Sequence, residues 1–274
     1  MRKLIATAAN ERIGGFLVND WYKSLKENVK LDDTDVLVID YGLGPWRNFL
    51  KDVILFSPVC TSGNLVNTRF INLAIFLEEH PEYDQVLFCD GGDLIFQDDV
   101  SHLFELKKNA FRMVLENESP PIDVVVKDED LIDGEKIKRF LRDKRLFNAG
   151  FMVAPREKYL EIRDFMEKSV KNMNAWGVDM IVINYLAYRG EYVALDTKYN
   201  FIPSTAKKKF YVKNSKFYLE NGELIPVVHN AGRFDIIRPV KNFGYGEGKN
   251  IVDPISVWLF RIIFRLSNLL KKLS

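Results

Sequence analysis

The sequence predicts an α/β protein in which helices flank a mixed, mostly parallel sheet. Short apolar runs of β type alternate with helical patterns through the first half of the chain, as expected where helices connect neighbouring strands. Each run is almost continuously apolar, which is typical of strands that are covered on both faces. A chain of 274 residues with 47% hydrophobic residues is long enough to bury such a core without disulfides.

The predicted elements follow one another along the chain in a regular order. The strand runs occupy residues 4–8, 36–39, 53–56, 86–89 and 146–153. Helical patterns follow the first strand run and then occupy residues 67–80, 156–173 and 179–188. Ligands of such sheets bind outside the carboxyl ends of the strands. The first candidates for a functional site are therefore the residues at 9–10, at 40–41 and from 90 onward.

The charge balance excludes a protein that mainly coats nucleic acid. The chain has 39 Lys+Arg and 38 Asp+Glu, a formal net charge of +1, whereas nucleic-acid affinity comes largely from basic residues that neutralise phosphates. The basic and aromatic stretch at 207–213 is interpreted as a solvated loop and strand near the site. Only Cys60 and Cys89 are present, which favours a reducing compartment, the cytoplasm. The first residues become charged too soon for a signal peptide and are interpreted as a strand.

The sequence divides into a body of catalytic size, residues 1–250, and a C-terminal segment, residues 251–274. Within the body, residues 116–145 are densely charged and are interpreted as an insertion that carries one amphipathic helix. Residues 254–274 form an apolar helix pattern with one narrow, mostly basic stripe. Such a helix suits an in-plane position on an anionic membrane, so we expect a peripheral protein on the inner face of the membrane. The alternative is that the helix packs on the body or on a second subunit.

The sharpest functional signal is Asp90-Gly91-Gly92-Asp93, directly after an apolar strand run. Two nearby carboxylates make a hard oxygen site for Mg²⁺ or Mn²⁺, and glycines let a bulky anion approach closely. The alternative is a tight turn with solvated aspartates. His229 ends a short valine strand and can complete a carboxylate metal site. Its alternative role is that of a strand-end histidine with an ordinary hydrogen bond.

Two further polar residues interrupt apolar segments. Asn148 lies in the strand run at 146–153, and Asp179 begins a helical pattern. Taken alone, Asn148 is explained by a β-bulge with a locally bonded amide. Asp179 is explained in the same way by an N-cap at the start of its helix.

In this order, the motifs resemble those of the GT-A-fold glycosyltransferases, and most closely those of glycosyltransferase family 8. The matching motifs are the Asp-rich turn, Asn148-Ala149-Gly150, the helix start at Asp179, the Tyr199-Asn200 segment and the His-x-x-Gly segment that ends at Gly232. The resemblance covers roughly residues 1–240. It implies metal-dependent transfer of a sugar from a nucleotide-diphosphate sugar, a UDP-sugar in this family, to a glycan or lipid-linked acceptor. It also implies retention of the anomeric configuration.

The resemblance implies roles for the polar residues already singled out. Asp90, Asp93 and His229 correspond to the protein ligands of Mn²⁺ or Mg²⁺. Asn148 and Asp179 correspond to catalytic groups that face the transferred sugar.

The resemblance also implies contacts with the nucleotide-sugar donor. The corresponding residues are Ala8, Ala9, Asn10, Arg69, Gly232 and Arg233. The first three match a strand end that lies against the nucleotide base and ribose. The arginine on the helix before the metal strand reaches the sugar and phosphates, and the last two residues contact the diphosphate.

The chain departs from the family pattern at three places. The aspartates are separated by two residues instead of one, and Met180 stands where the family usually has Gln. Arg238 lies further from His229 than the family's lysine does, which leaves open whether Arg233 or Arg238 serves the diphosphate. Two other functions stay open on the residues alone: a sugar-nucleotide pyrophosphorylase-like enzyme, and a membrane-attached sugar- or nucleotide-binding protein with a degenerate site.

Overall fold

A mixed sheet of seven strands forms the centre of the protein, in the order β3-β2-β1-β4-β7-β6-β8. The computed structural model describes residues 2–118, 122–232, 238–253 and 262. The strands in these residues are β1 (Arg2–Ala9), β2 (Thr34–Asp40), β3 (Ile54–Phe56), β4 (Tyr83–Cys89), β5 (Leu94–Phe96), β6 (Phe111–Leu115), β7 (Phe147–Pro155), β8 (Tyr192–Leu195), β9 (Phe210–Lys213), β10 (Lys216–Leu219), β11 (Val227–His229), β12 (Val240–Lys241) and β13 (Ile251–Val252).

Helices cover both faces of this sheet. Those in the described residues are α1 (Glu11–Phe16), α2 (Lys23–Asn28), α3 (Leu65–Glu79), α4 (Ile122–Val125), α5 (Gly134–Leu141), α6 (Arg156–Ser169) and α7 (Val178–Arg189). A π-helical stretch, Leu17–Tyr22, joins α1 to α2. The predicted α/β class and the mixed sheet are thus confirmed.

Strand direction brings distant parts of the chain to one edge of the sheet. β1, β2, β3 and β4 run parallel, and β7 runs antiparallel to both β4 and β6. The carboxyl ends of β1, β4 and β6 therefore meet the amino end of β7 at the same edge. β8 runs parallel to β6, so its carboxyl end also reaches this edge.

The hydrophobic core lies on both faces of the sheet. Along β1, Leu4 and Ala6 belong to one buried cluster, whereas Ile5 and Ala9 belong to another, as expected from alternating side chains on a strand. Helices α3, α6 and α7 cover the first cluster. Burial on both faces explains why the strands are almost continuously apolar in sequence.

A buried arginine connects β6 to the strands β7 and β4. Arg112 on β6 is fully buried and donates hydrogen bonds to the carbonyl oxygens of Leu103, Phe104, Leu106 and Val153, and to the side chain of Gln85. Burial lowers the pKa of Arg112 to about 10, which still leaves the guanidinium charged at neutral pH. The five acceptors compensate for removing that charge from water.

The charged segment at 116–145 contributes to the core through short helices. Ile137 and Leu141 on α5 are buried in the cluster that α3, α6 and α7 cover, while Phe140 is 38% exposed and contacts the ring of Tyr185. The apolar side predicted for this helix is therefore only partly buried.

The predicted C-terminal helix lies outside the described residues. The first residues of the 251–274 segment form β13, which pairs with β12, and residues 254–274 are not described apart from 262. Across the parts of the chain that are described, no helix has both the length and the hydrophobicity to cross a bilayer.

Candidate active site

The two aspartates of the predicted metal motif lie at the carboxyl end of β4. The Asp90 backbone N–H donates to the carbonyl oxygen of Gly150 at 3.0 Å, which ties the start of the loop to β7. A Cβ atom at Gly91 would lie 2.6 Å from Thr7 Oγ1, so any larger residue at this position would collide with the side chain of Thr7 on β1. Asp93 then directly precedes β5.

β11 brings His229 to these aspartates. It pairs antiparallel with β5, which places His229 opposite Leu94. His229 Nε2 lies 3.4 Å from Asp90 Oδ2 and 3.2 Å from Asp93 Oδ1. One ligand atom of each residue lies within 4.8 Å of the other two. The structure thus brings the three predicted metal ligands together, despite the additional residue between the aspartates.

The charged groups of this cluster shift one another's pKa values. Burial opposes the charged form of His229, but the charges of Asp93 and Asp90 outweigh burial and raise the pKa of His229 to about 10. Burial likewise opposes the charged form of Asp90, but Arg69 and His229 hold the pKa of that carboxyl well below its usual range. Two carboxylates in a largely buried site thus attract positive charge strongly.

The donor atoms suit a divalent ion such as Mn²⁺ or Mg²⁺. Two carboxylates and one imidazole are ligands that manganese accepts readily, and Mg²⁺ also binds through carboxylates. The Nδ1 atom of His229 lies 3.0 Å from Asn200 Oδ1, and Nε2 faces the aspartates. This arrangement, in which one ring nitrogen is hydrogen-bonded and the other faces the site, is typical of metal-binding histidines.

Arg69 and Asp179 lie beside Asp90, Asp93 and His229, the three residues that form the candidate metal site and are called the metal cluster below. Arg69, on α3, forms ion pairs with Asp90 and Asp179, and its guanidinium lies within 5.3 Å of the ring centres of Phe70 and Phe88. Asp179 is the second residue of α7, and the residue that precedes the helix is Gly177. The N-cap interpretation of Asp179 is therefore wrong. Burial raises the pKa of Asp179, although the charge of Arg69 opposes this.

Asn67 is a site residue that the sequence analysis missed. Its Oδ1 atom accepts a hydrogen bond from the Asp179 backbone N–H at 3.1 Å, and its amide donates to the carbonyl oxygens of Met173 and Ala175. Asn67 therefore holds the start of α7 and the preceding loop against α3. Its position two residues before Arg69 was the only available signal.

Asn148, Asn200 and Glu116 form a connected polar group beside His229. Asn200 Nδ2 donates to Asn148 Oδ1 at 2.9 Å, and Asn148 Nδ2 donates to Glu116 Oε1 at 2.6 Å. Asn148 Oδ1 also accepts the Gly150 backbone N–H at 2.9 Å. This confirms a local hydrogen bond of the Asn148 amide. Asn200 belongs to the Tyr199-Asn200 segment that matches the family pattern, but neither Asn200 nor Glu116 was assigned a role, because only the strand order places them at this edge.

The predicted nucleotide residues lie at the carboxyl end of β1, beside β4. Ala8 and Ala9 are buried, and the Ala9 carbonyl oxygen accepts the Tyr41 backbone N–H at 2.8 Å. Asn10 Oδ1 is buried and has no hydrogen-bond partner among the described residues. These three residues lie at the same edge of the sheet as the metal cluster.

A cavity adjoins the metal cluster on the β11 side. It has a volume of about 270 Å³ and is lined by residues that include Phe16, Gly92, Asp93, Asn230, Arg238 and Lys241. Arg238 Nη2 lies 2.9 Å from Asp93 Oδ2, and Arg238 Nε donates to the Gly232 carbonyl oxygen at 3.0 Å. Gly232 is thus near the cluster, whereas Arg233 lies outside the described residues.

Known structures share this fold. The bifunctional glycosyltransferase WbbM aligns with a TM-score of 0.56 and 14% identity, over 86% of this chain and 46% of its own. An active-site mutant of LgtC aligns with a TM-score of 0.55 and 14% identity, over 94% of both chains. The apo form of the glycosyltransferase GlyE from Streptococcus pneumoniae TIGR4 aligns with a TM-score of 0.55 and 16% identity, over 95% of this chain and 60% of its own. The chain thus spans less than half of the WbbM chain.

The fold and the site define a glycosyltransferase of the GT-A type. The sequence model of the family described as Glycosyl transferase family 8 matches residues 63–234, a stretch that contains Asp90, Asp93, His229, Arg69 and Asp179. The chain belongs to this family. No curated protein sequence matches the chain significantly.

Proposed function

We propose that this glycosyltransferase transfers a sugar from a UDP-sugar, held with Mn²⁺ or Mg²⁺ at Asp90, Asp93 and His229, to a glycan or lipid-linked acceptor. The observation that carries the proposal is the convergence of two carboxylates and one imidazole nitrogen within 4.8 Å. A galactosyltransferase of the same fold, LgtC, has been solved with donor and acceptor sugar analogues, at 16% identity and a TM-score of 0.53. The site residues proposed here are those that match the family motifs.

The chain's own residues would bind the donor around this cluster. A bound divalent ion would neutralise the diphosphate and stabilise it as a leaving group. Ala8, Ala9 and Asn10 contact the base and ribose, and the buried Asn10 Oδ1 supplies an acceptor. Gly232 and an arginine contact the diphosphate. We assign this arginine to Arg238, since it already reaches the metal cluster, and retain Arg233 as a second candidate.

Arg69, Asp179 and Asn148 would organise the transferred sugar. Arg69 holds Asp179 and Asp90 through its two terminal nitrogens, so one guanidinium couples the sugar side of the site to the metal side. Asp179 and the remaining N–H of Asn148 orient the sugar while positive charge develops on it, and the electrostatic field of the site stabilises the departing phosphate.

We further propose that the transfer retains the anomeric configuration. In a front-face attack, the leaving phosphate takes the proton of the acceptor hydroxyl, so no protein nucleophile is required. A product with inverted configuration, detected by NMR, would refute this part of the proposal.

The proposal also covers the acceptor and the cellular location. A glycan or lipid-linked acceptor, with residues 254–274 on an anionic membrane surface, would place the enzyme on the inner face of the membrane as a peripheral cytoplasmic protein. The basic stripe of this segment supports the proposal. The segment could instead form an oligomer contact.

The test of the proposal combines donor screening with substitution of the metal ligands. Thermal-shift measurements with a panel of nucleotide sugars and Mn²⁺ should identify the donor. With that donor, Asp90→Asn and His229→Gln should each lower metal-dependent transfer about 100-fold or more, the scale of losing one electrostatic contact with a transition state.

The matched controls are Asp84→Asn, at an exposed position on β4, and His80→Gln, whose ring contacts Glu82 and stacks on Phe76. Both should transfer sugar at the wild-type rate. Metal-independent transfer that survives in Asp90→Asn and His229→Gln would reject the metal site.

A further inference from the structure

A chain of hydrogen bonds leads from His229 through the side chains of Asn200 and Asn148 to Glu116. These side chains are buried or half-buried. His229 Nδ1 contacts Asn200 Oδ1 at 3.0 Å, Asn200 Nδ2 contacts Asn148 Oδ1 at 2.9 Å, and Asn148 Nδ2 contacts Glu116 Oε1 at 2.6 Å. His229 ends β11, and Asn200 lies in the turn that follows β8. Asn148 is on β7, and Glu116 directly follows β6. The chain of hydrogen bonds thus spans four separate segments of the sequence.

Both ends of Asn148 have a fixed hydrogen-bonding direction. The Gly150 backbone N–H can only donate, so it holds Asn148 Oδ1 as an acceptor. The ionised Glu116 carboxylate can only accept, so it requires the Asn148 amide nitrogen on its side. The direction of the Asn148 amide is therefore determined twice, by independent partners.

The orientation of the Asn148 amide also determines the orientation of the Asn200 amide, and thereby which nitrogen of His229 carries the proton. Because Asn148 presents its oxygen to Asn200, Asn200 must present its amide nitrogen in return and turn its own oxygen towards His229. An amide oxygen accepts but does not donate, so the proton at this contact resides on His229 Nδ1. A neutral His229 then has its lone pair on Nε2, which faces Asp90 and Asp93.

We propose that Asn200 is a positioning residue that holds His229 in the Nδ1–H tautomer required for binding a metal through Nε2, and that Asn148 and Gly150 fix the direction of the Asn200 amide. The proposal rests on the metal site proposed above. The exposed fractions of Asn200 and His229 are both 2%, so water cannot readily replace Asn200 as the acceptor. If the Asn200 amide were reversed, its NH₂ group would face His229 Nδ1 and the proton of the ring would lie on Nε2. Nε2 would then have no lone pair for binding a metal.

The first experiment measures binding of Mn²⁺ alone, by electron paramagnetic resonance of the free ion, to the full chain and two variants. Asn200→Leu removes the acceptor and should weaken Mn²⁺ binding about 10- to 100-fold, the usual cost of losing such a supporting contact. Asn200→Asp keeps an acceptor for Nδ1–H and should bind Mn²⁺ at least tenfold more tightly than Asn200→Leu. Equal losses in both variants, or none in Asn200→Leu, would overturn the proposal.

The second experiment detects the tautomer directly. The measurement is an NMR spectrum of protein that is labelled with ¹⁵N-histidine and saturated with Mg²⁺. The signals of His229 are those that are missing from the spectrum of His229→Gln. The wild type should show a protonated Nδ1 and an unprotonated Nε2 at His229. Asn200→Leu should lose this single pattern, whereas His80 and His102 should keep theirs. A wild-type pattern in Asn200→Leu, or a protonated Nε2 in the wild type, would overturn the proposal even if metal binding changed.

A buried asparagine elsewhere provides the control for loss of stability. Asn184 on α7 is fully buried and bonds the backbone of Phe147, with no contact to His229. Asn184→Leu should therefore lower the unfolding temperature without changing Mn²⁺ affinity in the folded protein. If the wild type itself binds no Mn²⁺, the proposed metal site fails. If the wild type binds Mn²⁺ and the Asn200 variants match it, only the positioning role fails.

Discussion

His229 is the residue at which burial and charge compete most directly. Its ring is nearly inaccessible to solvent, yet it faces two carboxylates, and their charges raise its pKa to about 10. In the protein without metal, the ring therefore carries a proton that partly neutralises Asp90 and Asp93. A divalent ion must displace this proton to bind Nε2, so metal binding and proton release are linked at this residue.

The raised pKa of His229 predicts how stability depends on pH. The folded-state pKa of about 10 lies above the ordinary value of 6.5. The folded protein therefore holds up to one more proton than the unfolded chain between these values. The resulting stabilisation is fully present below pH 6.5 and is lost as the pH rises through about 10. The loss has a slope of up to about 1.4 kcal/mol per pH unit for one proton.

This prediction is checked by urea unfolding of the chelator-treated wild type and His229→Gln between pH 6.5 and 10. His229 also lowers the pKa of Asp90, so the difference between the two curves reports the histidine together with this coupled carboxylate. The free energy of unfolding should fall more steeply with pH in the wild type. Parallel curves would show that His229 does not carry the additional proton.

At the scale of single residues, sequence patterns identified the residues of the proposed metal site but not the contacts that orient them. Asp90, Asp93 and His229 were recognisable because unusual polar residues follow apolar strands. For Asp179, a helix cap was the alternative to a catalytic role; it pairs with Arg69, and its backbone N–H donates a hydrogen bond to Asn67. Such pairings depend on the packing of α3 against α7, which no local pattern encodes.

At the scale of elements, the antiparallel direction of β7 brings polar residues of the site close to Asp90. Because β7 runs antiparallel to β4, its amino end carries Asn148 and Gly150 to the edge at which β4 delivers Asp90. Gly150 sits where these elements converge. A Cβ atom there would lie 2.5 Å from His229 Cε1 and 2.8 Å from Asp90 Oδ2. The glycine thus makes room for the close approach of two metal ligands.

This convergence predicts the effect of adding one methyl group. Gly150→Ala should displace His229 or Asp90, weaken Mn²⁺ binding at least tenfold and lower the free energy of unfolding by about 1–3 kcal/mol, the usual cost of overpacking. Metal binding is measured by electron paramagnetic resonance and stability by urea unfolding.

Gly15→Ala is the matched control, because its Cβ atom would meet Trp46 no closer than 3.4 Å in a helical segment. It should leave Mn²⁺ affinity unchanged and stabilise the helix slightly. If Gly150→Ala bound Mn²⁺ like Gly15→Ala, the close packing around Gly150 would not matter for the site.

At the scale of the whole molecule, the described residues and the C-terminal segment have different characters. The sheet and its flanking helices bury apolar side chains on both faces. By contrast, residues 254–274 combine apolar side chains with Arg261, Arg265, Lys271 and Lys272. This contrast within a chain of net charge +1 supports the proposal that the C-terminal segment binds an anionic surface while the body performs the transfer.

Deletion of residues 254–274 tests whether this segment binds the membrane surface and is not required for catalysis by the body. Each basic residue near an anionic surface contributes about 1 kcal/mol, so the truncated protein should bind vesicles containing phosphatidylglycerol at least tenfold more weakly than the full chain in a flotation assay. Its hydrolysis of the nucleotide sugar should stay at the wild-type rate. Equal vesicle binding by both proteins would refute the membrane role, and loss of hydrolysis would place the segment in the catalytic body.

The sequence by itself determined the α/β class, the positions of five of the seven strands of the central sheet and the three residues proposed to bind the metal, because these follow from apolar periodicity and from polar residues placed directly after strands. Only the tertiary structure decided how these residues are held. The supporting contacts of Asn200, Glu116 and Asn67 arise from segments far apart in the chain. Their proximity follows from strand order and helix packing, which are properties of the whole sheet and not of any local stretch of sequence.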